Sequence, residues 1–151
     1  MILKKIDGTP DFHLLIDLIN AAWPEEWGDS TEQDKVDKLI ESHNEETDTI
    51  KYLLSNDEII GWYRYSLHPR DNRNTKIIHL YDIAVLPSFQ RRGLGTYMLK
   101  DFVEECRNRD FNEVLSRSMK SNQGSIRFHE SFGFTQLFET DDSIVWQYKI
   151  E

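Results

Sequence analysis

Several things are scarce in this 151-residue sequence, and each scarcity narrows what the chain can be. It has one cysteine, Cys106, so no internal disulfide can form and no thiolate pair exists to hold a metal. That usage suits a reducing compartment, and a cytoplasmic location is expected. No apolar run approaches the roughly 20 residues that a membrane-crossing helix needs, and none follows Lys4 and Lys5 near the start. A soluble, unprocessed chain with no membrane partner is therefore expected. Positive charge is short as well: 18 Lys and Arg stand against 27 Asp and Glu, a formal net charge of −9. Duplex nucleic acid needs a concentrated basic face, so it is excluded as the main partner, while a cationic small molecule is easily accommodated. Four prolines and seven glycines form no linker or low-complexity tract, and no repeat divides the chain, so one domain over residues 1–151 is expected. Hydrophobic residues at 38% and aromatics at 12% supply enough apolar material for a packed core.

What is present reads as alternating strands and helices. Met1 to Ile6 suits a short strand, and Phe12, Leu15, Ile16 and Ile19 then recur at helical spacing until Trp23-Pro24. The Asp29-Ser30-Thr31-Glu32 cluster predicts a second helix start, with Val36, Leu39 and Ile40 on one apolar face and an end near His43. Ile50 to Leu54 and Ile59 to Leu67 are β-branched and aromatic, joined by the hairpin signal Ser55-Asn56-Asp57-Glu58. A further strand spans about Lys76 to Leu86. A helix then starts near Gly93, with Met98, Leu99, Phe102, Val103 and Cys106 facing the sheet. Strand Asn112 to Ser118, helix Ser121 to Ser131, and strands Phe134 to Phe138 and Ile144 to Ile150 complete the order β-α-α-β-β-β-α-β-α-β-β. The class is α/β, with a mixed sheet carrying helices on both faces.

The informative segment runs from Tyr81 to Thr96, a strand, a short loop and a helix start. A helix N-terminus offers unpaired N–H groups and the positive end of its dipole, so a pyrophosphate can be held there by backbone alone. Gly93 and Gly95 remove the Cβ that would shield those amides, and Arg91 and Arg92 add local positive charge. Alone, a Gly-x-Gly turn is equally an ordinary tight connection. No Gly-Lys-Ser/Thr follows, and Gly-x-Gly-x-x-Gly fails at Met98, so neither a nucleoside triphosphate loop nor a dinucleotide fingerprint is present.

Gln90-Arg91-Arg92-Gly93-Leu94-Gly95 resembles motif A of the GNAT family of N-acetyltransferases, Gln/Arg-x-x-Gly-x-Gly/Ala after the fourth strand. Downstream, Asn122 to Phe134 resembles the family's motif B, Asn-x-x-Ala-x-x-Leu-Tyr-x-x-x-Gly-Phe. The resemblance implies that acetyl-CoA lies where the fourth and fifth strands splay apart. It implies that Ile83, Ala84 and Val85 offer backbone groups to the pantetheine arm. Arg91, Arg92, Gly93, Leu94, Gly95 and Thr96 would then cradle the pyrophosphate, and Asn122 would reach the pantetheine from the other wall. No metal is called for.

Acetyl transfer to an ammonium must shed a proton, and the leaving thiolate gains from an acid nearby. Motif B often carries a tyrosine acid four residues before its glycine, and this sequence has His129 there. If Phe128 fills the buried site beside it, His129 is expected to turn toward the cleft, although a structural histidine bonding backbone is the other reading. For the base, the resemblance points to His79, with Tyr81 on the same strand face and Asp82 on the opposite one; a water chain is equally open.

Acceptor recognition is less marked. Trp23-Pro24, the Val85 to Phe89 run and His129 are similar to features of aminoglycoside 6′-N-acetyltransferases within the family, whereas Tyr81 and Arg117 stand where that group tends to be acidic. Trp23, Glu25, Glu26 and Asp29 are candidate acceptor contacts, and Trp27, Trp62, Tyr63 and Tyr65 would either line a cation-binding pocket or pack the core. The expected function is transfer of acetyl from acetyl-CoA to a primary amine of a small cationic molecule. A peptide or protein acetyltransferase and a non-catalytic acyl-CoA-binding module remain alternatives, and a homodimer is compatible.

Overall fold

The computed structural model describes residues 1–5, 12–22, 31–42, 48–66 and 77–151. In chain order the elements are β1 (Ile2–Lys5), α1 (Phe12–Ala22), α2 (Glu32–Ser42), β2 (Asp48–Ser55), β3 (Glu58–Ser66) and β4 (Ile77–Val85). There follow a single 3-10 turn (Pro87–Phe89), α3 (Leu94–Asn108), β5 (Glu113–Met119), α4 (Gln123–Phe132), β6 (Thr135–Glu139) and β7 (Ser143–Lys149). The strands form a seven-stranded mixed sheet of order β1-β2-β3-β4-β5-β7-β6. β4 and β5 are parallel, while the β1–β2, β5–β7 and β6–β7 ladders are antiparallel. The element order expected from the pattern is the one observed, with the 3-10 turn as an addition.

Two compact units are distinguishable, Met1–Arg64 with Asp82–Met98, and Tyr65–Tyr81 with Leu99–Glu151. In the first, Phe12, Leu15, Ile16 and Leu18 of α1 and Val36 and Leu39 of α2 join Ile50, Trp62 and Ala84 of the sheet in one buried cluster. Ile40, expected on that face, is 53% exposed, because the buried stripe of α2 is narrower than its apolar sequence. Thr31 opens α2 reciprocally: its Oγ1 accepts from Asp34 N at 3.1 Å, and Asp34 Oδ2 accepts from Thr31 N at 3.2 Å. The β2–β3 hairpin turns on Asn56 and Asp57, both left-handed at φ 50° and 65°, the two-residue geometry whose twist matches its strands. Gly61 lies where a Cβ would sit 2.9 Å from Ala84 O and 3.2 Å from Met98 Cε, so β3, β4 and the start of α3 approach closely there.

In the second unit, Tyr65 packs on Phe102 with ring centroids 5.1 Å apart and donates to Glu105 Oε1 at 2.7 Å. Cys106 is buried, as its position on α3 predicts. α4 starts on Asn122 and ends on Gly133, left-handed at φ 116°, whose N–H and that of Phe134 both bond back to His129 O. That tight ending returns Phe134 beside the His129 ring, 5.0 Å between centroids.

Candidate active site

The segment after β4 is shaped by its backbone. Leu86 N bonds Ile60 O at 2.8 Å, and Gln90 Nε2 donates to Val85 O at 2.9 Å, which fixes both ends of the turn that Pro87 begins. Arg91 then adopts φ +63° and Gly93 φ +77°. The first helical bond of α3 runs from Tyr97 N to Gly93 O at 2.9 Å, so the amides of Leu94, Gly95 and Thr96 stand ahead of the ladder as free-end donors. A Cβ built on Gly93 meets nothing within 4 Å, so the space in front of that backbone is open. Arg91 and Arg92 are exposed, and the Arg92 guanidinium lies over the Phe89 ring at 5.3 Å. Two left-handed residues, three amides at a helix start and two arginines make an arrangement that could hold an anion.

On β4, His79 and Tyr81 share a face, with ring centroids 6.2 Å apart, and Tyr81 is 39% exposed. Asp82 turns the other way, as alternation predicts, and its Oδ2 accepts from Arg64 Nε at 2.8 Å. Burial pushes the Asp82 carboxyl above its ordinary value near 3.8, against the downward pull of Arg64, while the charge of Asp48 adds to the rise.

His129 is the buried residue of α4, 2% exposed, and Phe128 is only half-buried. The expected division, Phe128 inward and His129 outward, is thus reversed. Two small hydroxyl residues on β5 explain it, since Ser116 and Ser118 leave room for an imidazole against the strand. Nε2 of His129 is 2.8 Å from Ser116 Oγ, and Nδ1 is 2.7 Å from Ser125 O and 3.2 Å from Ser118 Oγ. The ring stacks on Trp146 at 5.4 Å and 12°, and Trp146 Nε1 donates to Ser118 Oγ at 3.0 Å. Burial lowers the pKa of His129 below its ordinary 6.5, with the Ser125 carbonyl opposing, so the ring is neutral at pH 7.

Asn122 caps α4, its Oδ1 accepting from Ser125 N at 3.0 Å. Trp62, Tyr63 and Tyr65 are each 0% exposed, which makes them core residues and removes them as lining for an acceptor pocket. Trp23, Glu25, Glu26, Trp27 and Asp29 lie outside the described residues. Among the described residues, no group of three or more His, Cys, Asp or Glu side chains could hold a metal ion, and no helix is long and apolar enough to cross a membrane. Ser116, Ser118, Trp146 and Arg64 stand beside these candidates although no sequence motif marks them. A signal existed for the first two, since serines at alternate positions of an interior strand put two hydroxyls on one face.

Comparison with known proteins agrees with the fold. The chain is 23% identical over 142 residues to the mycothiol acetyltransferase of Rhodococcus opacus (strain B4), covering 93% of this chain and 46% of that protein. Over 57 residues, 38% of each chain, it is 39% identical to the [ribosomal protein bS18]-alanine N-acetyltransferase of Salmonella typhimurium. The chain thus spans about half the length of the curated relatives it matches, or less. The crystal structure of PaiA N-acetyltransferase from Thermoplasma acidophilum in complex with coenzyme A shares the fold, with a TM-score of 0.74, 12% identity and 99% of both chains covered. The sequence profile of the acetyltransferase (GNAT) family matches residues 12–134, and the chain belongs to that family.

Proposed function

We propose that this chain is a cytoplasmic acetyl-CoA-dependent N-acetyltransferase, a single catalytic domain over residues 1–151 that acts on a primary amine. The observation that carries this reading is the cradle at the start of α3, where an open Gly93 backbone faces the amides of Leu94, Gly95 and Thr96. The residues present fit coenzyme A. Diphosphate would be held by those amides with Arg91 and Arg92 beside them, and the β4 backbone at Ile83, Ala84 and Val85 would orient the pantetheine. When bound, acetyl-CoA supplies the activated acyl group. Asn122 would contribute through its amide nitrogen, because its oxygen is engaged in the cap. His79, Tyr81 and His129 remain the candidate proton-handling side chains.

The net charge of −9 supports a small cationic amine as acceptor. A protein N-terminus is the second reading, supported by the 39% identity to the ribosomal-protein alanine acetyltransferase. Calorimetry with coenzyme A tests the cradle, and thiol release from acetyl-CoA with polyamines, aminoglycosides and short alanine-headed peptides tests the acceptor. Micromolar coenzyme A affinity and turnover with the cationic small amines are expected. Turnover confined to the peptides would transfer the assignment to the second reading, and failure to bind coenzyme A would overturn both.

A further inference from the structure

The surroundings of His129 fix its tautomer. A carbonyl oxygen can only accept, so Nδ1, 2.7 Å from Ser125 O, carries the ring proton. Nε2 of the neutral ring then holds the lone pair, and Ser116 Oγ–H donates to it across 2.8 Å. Stacking on Trp146 and the edge contacts with Phe128 and Phe134 hold the ring in place. Among the described residues, the groups facing it are Ser116 and Ser118 from β5, Ser125 and Phe128 from α4, Trp146 from β7, and Phe134, none of them charged. The imidazole is therefore a base with a filled donor site, an oriented lone pair and one hydroxyl attached to that lone pair.

Ser116 also has a particular place in the sheet. The β4–β5 ladder pairs Ile77–Leu80 with Glu113–Ser116, so Ser116 is its last rung, although β5 continues to Met119. His129 itself is 2% exposed, whereas Ser116 retains 8%.

We propose that Ser116 and His129 form a two-residue proton relay, in which Ser116 Oγ meets the reacting groups and His129 Nε2 stores the proton behind it. The proposal rests on the acetyltransferase reading above. An ammonium acceptor first loses one proton to solvent. As the amine nitrogen bonds to the acyl carbon, Ser116 Oγ takes a second N–H proton and passes its own to Nε2. When the carbon–sulfur bond breaks, Nε2 returns a proton to Oγ, which gives one to the sulfur, and the amide, the thiol and the starting relay result. Because burial holds the ring neutral at pH 7, it is ready to accept, and the imidazolium formed at that buried position gives its proton up readily.

The test compares the wild type with Ser116→Ala, Ser116→Thr and His129→Phe. Coenzyme A affinity is measured by calorimetry and the His129 ring nitrogens are followed by ¹⁵N NMR with and without coenzyme A. The pH dependence of kcat is taken with the best amine of the panel. Ser116→Ala should bind coenzyme A within about twofold of the wild type, lose about a hundredfold in kcat at unchanged KM for acetyl-CoA, and lose the acid limb of its pH profile. Ser116→Thr should recover most of the rate. Coenzyme A should move the Nε2 resonance in the wild type and leave it in place in Ser116→Ala. A Ser116→Ala protein with wild-type kcat and pH profile, or an Nε2 resonance indifferent to coenzyme A, overturns the relay alone. A wild type that binds no coenzyme A overturns the acetyltransferase reading and the relay with it.

Discussion

The loop from Leu86 to Thr96 in the first unit and the His129 cluster in the second hold polar groups by contrasting means. The loop works with its main chain: left-handed Arg91 and Gly93 and three amides at a helix start, with two exposed arginines beside them. The cluster works with side chains, a buried imidazole satisfied at its nitrogens by two serine hydroxyls and a carbonyl and stacked on an indole. Exposed amides cost little to leave waiting for an anion, because water satisfies them meanwhile. A buried imidazole must be satisfied within the protein, so its partners are specified one by one. Side-chain truncation should therefore destabilise the second region far more than the first.

The largest expected effect follows from that asymmetry. His129→Ala removes a buried ring and strands the Ser116 hydroxyl, a combined loss of roughly 3 kcal/mol, whereas Arg91→Ala and Arg92→Ala, at exposed positions, should each stay within about 0.5 kcal/mol. Urea unfolding of the three variants measures this, and equal losses would break the comparison.

Next in size is the cradle itself. Gly93→Val forces a β-branched residue to φ +77° and puts side-chain atoms into space that is now open. Coenzyme A affinity should drop tenfold or more, about 1.4 kcal/mol, measured by calorimetry. Gly93→Ala carries the same backbone conflict with less bulk, so the gap between the two variants separates strain from obstruction. A folded Gly93→Val protein with unchanged affinity would remove the cradle from the binding site.

The two regions were also unequally legible in the sequence. The cradle could be read because its function resides in neighbouring residues: a strand, a proline turn, Gly-x-Gly and a helix start are local, and Gln90 to Gly95 carry the motif. The His129 environment is assembled from β5, α4 and β7, and no local pattern says that Ser116 and Ser118 face the ring or that Trp146 lies under it. Helical geometry gave two orientations for the Phe128-His129 pair, and the strand residues opposite selected the one not expected. Trp62, Tyr63 and Tyr65 were ambiguous for the same reason, since aromatic composition suits a core and a cation pocket alike and only burial separates them. Ile40 shows the limit of periodicity, apolar and in phase yet 53% exposed.

A smaller effect sharpens the contrast through pH. The folded state lowers the pKa of His129, so below about 6.5 the unfolded chain binds the proton more readily and stability falls as pH falls, by at most about 1.4 kcal/mol per pH unit from this group. His129's contribution is fully present above 6.5 and is lost on acidification toward the folded value. Asp82 acts with the opposite sign: its carboxyl is raised, so its contribution is present below 3.8 and is lost as pH rises through its folded value. Comparing the wild type with His129→Phe between pH 7 and 5 cancels the Asp82 part. The wild type should lose stability more steeply, and parallel curves would mean that the ring is not held neutral by the fold.

The smallest effect concerns Asn122, where cap and ligand contact use different atoms of one amide. Its Oδ1 accepts from Ser125 N at 3.0 Å, and an N-cap of this kind contributes about 1 kcal/mol. Asn122→Ala should lose that amount, seen as a lower urea midpoint. An aspartate caps a helix about as well as an asparagine and adds a favourable charge at the helix start, so Asn122→Asp should keep the stability. It has no amide hydrogen to donate, however. If Asn122 also reaches the pantetheine through Nδ2, Asn122→Asp should weaken coenzyme A severalfold at unchanged stability. If Asn122→Asp binds coenzyme A like the wild type while Asn122→Ala is destabilised, the residue is a cap alone, and this part of motif B serves the fold rather than the ligand.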